Sequence, residues 1–127
     1  MNLKQSRLVT EDVQGLTRFY ESITGAKAEV LNSGYVEFQR SPCAGLAITA
    51  TGTTRAYGDG VVRASANRSL VLDFEVEDVD AHYVRLKDSV DDWVLRPTTM
   101  PWGNRAMLFR DPDGNLINFF STAARGG

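Results

Sequence analysis

The chain has 127 residues, 43% of them hydrophobic and 24% charged, with a formal net charge of −2. That length suits one domain or two small fused modules around a buried core, and the mixture excludes an intrinsically disordered chain. The 14 basic residues are scattered, which gives nucleic acid or an anionic membrane little to hold, and the single cysteine, Cys43, excludes an internal disulfide and fits a reducing compartment.

A short strand-like run ends at Leu8 and Val9. A helix is predicted over 12–23, where Val13, Leu16, Phe19, Tyr20 and Ile23 recur at helical spacing, with Asp12 as N-cap and Gly25 as stop. Strands are predicted over 28–31, 35–40 and 46–51, separated by Asn32-Ser33-Gly34 and by 42–45. From Thr51 to Arg68 the chain turns polar, with Gly58-Asp59-Gly60 at its middle, and reads as a linker. A strand over 70–76 and a helix over 78–87, with Val79, Tyr83 and Leu86 on one side, then lead to strands over 93–96, 106–110 and 115–121. Pro112, Asp113 and Gly114 supply the turn between the last two. No segment reaches the roughly 18 apolar residues of a membrane span and no signal-like stretch opens the chain, so a cytoplasmic location is expected. The Asn67-Arg68-Ser69 sequon is then a chance match.

The order βαβββ therefore occurs twice, and Thr10-Glu11-Asp12-Val13 corresponds to Val76-Glu77-Asp78-Val79 at the two helix starts. Such repetition points to duplication, because one unit of this size leaves an open sheet face and free edges. Strand alternation predicts that Val36, Phe38, Leu72, Phe74 and Val76 face helices, leaving Tyr35, Glu37, Gln39, Val71, Asp73 and Glu75 on the opposite faces. By the same parity Leu116, Asn118 and Phe120 share one face.

The repeated pattern, the helix from Asp12 to Tyr20, "FEVEDVDA" at Phe74 to Ala81 and "PWGNR…RDPDGNLI" resemble the vicinal oxygen chelate superfamily, which includes glyoxalase I, extradiol dioxygenases, fosfomycin-resistance enzymes and bleomycin-resistance proteins. The resemblance covers nearly the whole chain. It implies an α+β fold of the glyoxalase/bleomycin-resistance/dihydroxybiphenyl-dioxygenase type, one domain in which module 1 (about 1–52), a linker (53–67) and module 2 (about 68–123) pair into a half-barrel cup. It also implies a homodimer and a small organic ligand.

Family enzymes hold a metal through His or Glu in the first and last strands of each module. Register places those positions here at Gln5, Ile48, Val71 and Asn118. None is a His or a carboxylate: Val71 and Ile48 lack a donor atom and the two amides offer neutral oxygens, poor ligands for a divalent cation alone. No metal and no cofactor are therefore expected. His82, on the second helix, reads as a helix-surface or partly packed side chain, and Cys43, beside Pro42 without a nearby His, as an inert thiol.

Trp102 covers the hydrophobic rim or stacks on a flat ligand, and Arg105 pairs Asp73 or Glu75 or anchors an anion. The ligand-binding set expected is Gln5, Arg7, Tyr35, Glu37, Ile48, Val71, Asp73, Trp102, Arg105, Asn118 and Phe120. The function implied is metal-independent binding of a small molecule or drug, as in antibiotic resistance by sequestration. The alternative is a glyoxalase-like lyase or isomerase, or another enzyme of the superfamily, using other cup residues.

Overall fold

The computed structural model describes residues 1–122. Two compact units emerge, 1–66 and 67 onward, each a four-stranded sheet with a helix after its first strand. Ala123, the expected end of the second module, lies outside the described residues.

In the first unit the strands β1 (Ser6–Thr10), β2 (Glu29–Asn32), β3 (Tyr35–Phe38) and β4 (Leu46–Ala50) stand in the order β1-β4-β3-β2. Helix α1 (Val13–Thr24) connects β1 to β2. Asp12 caps it by accepting from the Gly15 amide, a contact worth about 1 kcal/mol, and Gly25 ends it at φ 76, where a β-carbon would be strained. Leu16, Thr17, Tyr20 and Ile23 are its buried stripe. Leu8, Val36 and Ile48 sit side by side in register and are buried. Parity sends them to the helix side and sends Arg7, Tyr35, Glu37, Ala47 and Thr49 to the other, open face.

The second unit repeats this plan with β5 (Val71–Glu75), β6 (Asp92–Thr99), β7 (Arg105–Arg110) and β8 (Leu116–Ser121) in the order β5-β8-β7-β6. Helix α3 (Val79–Leu86) is capped by Asp78, which accepts from the Ala81 amide. Its core is aromatic: Phe109 meets Trp93 and Phe119 at centroid separations of 5.2 and 5.4 Å, and Phe74 and His82 also contact Phe119. Parity leaves Val71, Asp73, Glu75, Leu116, Asn118 and Phe120 on the opposite face.

Three features differ from the sequence reading. The polar stretch after β4 carries a helical turn, α2 (Thr51–Thr54), followed by a 3-10 turn (Arg55–Tyr57), held in part by the Thr54 hydroxyl donating to the Thr51 carbonyl. Strand β2 begins one residue later than expected. Strand β6 runs through Pro97 instead of ending before it, because β6 is an edge strand and Pro97 lies within a register shift between Leu95 and Thr98, where no ladder N–H is required. Among the described residues, no helix is long and apolar enough to cross a membrane.

Candidate functional site

The most developed polar cluster lies on the open face of the first unit. Gln5, just ahead of β1, donates through Nε2 to the Tyr35 hydroxyl at 2.7 Å, and that hydroxyl donates in turn to Glu37 Oε2. Glu37 receives a second bond on Oε1 from Gln39 Nε2 at 3.0 Å, and Lys4 Nζ stands 3.9 Å away. Tyr35, Glu37 and Gln39 are two residues apart, so the β pleat aims all three side chains to one face. Glu37 is only 8% exposed, and a carboxylate so covered must be partnered. Tyr35 donation, joined by that of Gln39, holds its carboxyl below the ordinary Glu value. The Tyr35 hydroxyl moves the other way, raised first by burial and then by Glu37. The result is an ionised acceptor beside a phenol that keeps its proton, arranged to orient a ligand or to relay a proton.

Arg7 shares this face but is drawn aside: its Nη2 donates to the Tyr57 hydroxyl at 2.7 Å, and its guanidinium lies 5.4 Å from that ring's centroid. Ile48 does not match the expectation that it lines the open face. It aligns with Leu8 and Val36 and is completely buried, whereas Ala47 and Thr49 align with Glu37 and Tyr35. A slip of one residue in the sequence register exchanges the two faces of a strand, and the 42–45 loop hides that slip.

In the second unit Asp73 and Asn118 are directly paired in register, and Asn118 Nδ2 donates to Asp73 Oδ1 at 3.1 Å. Asn118 Oδ1 is buried without a hydrogen-bond partner. Val71 and Phe120 lie on the same face, beside their register partners Leu116 and Glu75, with Val71 46% exposed. Arg105 does not reach Asp73 or Glu75. It shares a side of β7 with Met107 and Phe109, and there its Nε and Nη2 grip both oxygens of Asp80 on α3 at 2.7 and 2.8 Å. Asp80 lies on a helix, where strand parity, which points only to the strand carboxylates Asp73 and Glu75, gives no sign of it as a partner. The fork lowers the Asp80 carboxyl and raises the guanidinium. Trp102, on the turn closed by the Gly103 amide donating to the Met100 carbonyl, is 72% exposed.

The residues present do not fit a resident divalent metal. Val71 and Ile48 have no donor atom, Ile48 faces the helix side, Gln5 turns its amide to Tyr35, and Asn118 contributes one neutral oxygen. Among the described residues there is no group of three His, Cys, Asp or Glu side chains able to hold an ion. His82 lies against Phe119 and accepts from Arg85, and burial, aided by Arg85, lowers its pKa. Cys43 is buried, and its thiol is pushed up to about 11 by desolvation, so it is no nucleophile near neutral pH.

Besides Asp80, three polar partners escaped the sequence reading. Lys4 and Tyr57 gave no periodic signal, since one precedes β1 and the other depends on the α2 turn. Asp111 was read only as part of a turn, yet it is buried and accepts from the Asp113 and Asn115 amides and from Asn115 Nδ2, locking the β7–β8 hairpin.

Two βαβββ units, each with a helix on one sheet face and polar groups on the other, define a class: a protein of paired βαβββ modules. The sequence matches the family model of the Glyoxalase/Bleomycin resistance protein/Dioxygenase superfamily over residues 2–119, and the chain belongs to that superfamily. Solved structures agree on the fold. A protein of unknown function from Agrobacterium tumefaciens str. C58 matches at a TM-score of 0.80 and 23% identity, over 96% of this chain and 94% of that one. A glyoxalase/bleomycin resistance protein/dioxygenase from Nocardioides gives 0.78 and 23%, over 100% and 86%. A family enzyme from Burkholderia phytofirmans PsJN gives 0.84 at 12% identity, over 96% and 99%. A search of curated proteins finds no match.

Proposed function

We propose that this protein binds a small organic molecule without a resident metal, in the manner of the drug-sequestering branch of its superfamily, and that the Gln5–Tyr35–Glu37 chain is its recognition element. The observation that carries this reading is Glu37, a nearly buried carboxylate kept ionised by Tyr35 and Gln39 on the open face. Asp73 and Glu75 add negative charge on the open face of the second unit, so each face favours a cationic ligand, while Arg7 is occupied by Tyr57. Trp102, exposed and flat, is available for stacking. Free edges on β2 and β6 give a physical motive for assembly as a homodimer, which light scattering across a dilution series checks.

The test is a thermal-shift and calorimetric screen of cationic aromatic drugs, bleomycin among them, against wild type and Glu37→Gln. A true ligand stabilises the folded state saturably, by about 2.7 kcal/mol at a hundred times its Kd, and binds Glu37→Gln more weakly. Equal binding by both proteins, or no stabilisation by any compound, contradicts the reading.

A second reading has its own support. A tyrosine hydroxyl donating to an ionised carboxylate is also a general acid/base pair, which suits a glyoxalase-like lyase or isomerase. Product formation from a 2-oxoaldehyde thiol adduct, followed by NMR and abolished in Tyr35→Phe, favours this alternative.

A further inference from the structure

A cavity of about 180 Å³ lies on the opposite side of the first unit's sheet from the Glu37 cluster, between α1 and the β2–β3 hairpin. Val13, Val30 and Val36 form its apolar wall. A closed apolar cavity of roughly 150 Å³ suffices for benzene, so this one accommodates a small ring or a short branched chain. Val36 is 2% exposed and belongs to the floor, while Val30 is 70% exposed and marks the mouth.

The polar lining carries a single charge, that of Arg18, beside the neutral side chains of Gln14, Thr17, Asn32 and Ser33. Thr17, only 8% exposed, presents a buried Oγ1 without a hydrogen-bond partner. A buried hydroxyl left unpaired costs free energy, and a ligand that bonds to it recovers that cost. Arg18 stands next to it on the wall, the only charged side chain there, and forms no ion pair among the described residues. Asn32 spends its Oδ1 on the Gly34 amide and so offers its Nδ2 as a further donor. Among the described residues, no carboxylate lines the cavity. One cation, an unpaired hydroxyl able to donate and neutral polar groups around an apolar floor favour an anion with a hydrophobic body.

We infer that this cavity binds small hydrophobic monocarboxylates. The carboxylate accepts from the Thr17 hydroxyl and faces the Arg18 guanidinium, and the apolar body lies against Val13, Val30 and Val36. This site is independent of the Glu37 cluster and takes ligands of the opposite charge.

The test is an NMR titration of the full-length protein with benzoate as the probe and benzamide as its neutral counterpart. Benzoate is expected to shift the amides of residues 13–18 and the methyls of Val13, Val30 and Val36 saturably, leaving Gln5 and Arg7 unmoved. Benzamide is expected to bind about tenfold more weakly, the scale of one charge-assisted contact. Thr17→Val and Arg18→Gln should each weaken benzoate by a similar factor, and Thr17→Ser should retain it. Arg18 is at the mouth, so its variant keeps the test decisive if Thr17→Val fails to fold. Equal binding of the two probes, shifts confined to Gln5 and Arg7, or no saturation in the millimolar range overturns the proposal.

Discussion

Strands β4 and β8 occupy equivalent places in their units, yet Leu46, Ala47, Ile48 and Thr49 of β4 are all buried, while β8 alternates, with Ile117 and Phe119 buried and Leu116, Asn118 and Phe120 half-exposed. The same topology thus carries two different faces. Where the face opposite the helix is buried, polar side chains must satisfy one another, and the Gln5–Tyr35–Glu37–Gln39 chain results. Where it is less covered, Asp73 and Asn118 form one pair and the unit gains its cohesion on the other side, from rings. Duplication supplies a scaffold, and burial decides which copy builds the tight polar network.

The largest effect expected falls on the aromatic side of that contrast. Phe109→Ala removes a completely buried ring from between Trp93 and Phe119 and is expected to cost about 3–5 kcal/mol. Ile48→Ala in the first unit should cost about 2–5 kcal/mol. Urea unfolding followed by tryptophan fluorescence checks Phe109→Ala, since Trp93 and Trp102 both lie in the second unit, and far-UV circular dichroism checks Ile48→Ala in the first. A cost under about 1 kcal/mol for Phe109→Ala would mean that the ring cluster is not what holds the second unit together.

The features that depend on alternation were legible in the sequence. Val36 and Phe38 against Tyr35 and Glu37, and Phe74 against Asp73 and Glu75, follow from period two alone. Asp12 and Asp78 announced both helix starts, and Gly114, at φ 90, announced the last hairpin. What escaped depends on register across gaps or on partners far apart in the chain. Ile48 and Thr49 differ by one position after an irregular loop, and the difference exchanges faces. Arg105 meets Asp80, 25 residues earlier and on a helix, where strand parity carries no information.

A smaller effect probes the polar side. Glu37 has a depressed pKa in the fold, so its contribution to stability is present above the ordinary value of 4.5 and is lost as pH falls through the lower folded value. Glu37→Gln should therefore be less stable than wild type near pH 7, with the difference shrinking as pH drops below about 4.5. Melting curves from pH 3 to 7 decide it: a gap that stays constant across this range removes the Tyr35–Glu37 bond as its source.

The smallest effect belongs to Trp102. Its side chain is 72% exposed, so Trp102→Ala should leave stability within about 0.5 kcal/mol of wild type while weakening any stacked ligand by roughly 1–3 kcal/mol. A marked fall in melting temperature with unchanged affinity would assign it a structural role.

The central claim is that the donor set of this chain binds an organic ligand without a resident metal. Elemental analysis of protein purified without chelator, combined with thermal shifts in nickel, zinc, manganese and iron(II), tests it most directly. The account predicts substoichiometric metal and no large saturable stabilisation by any of the four. Near-unit occupancy together with a saturable rise in melting temperature would contradict it.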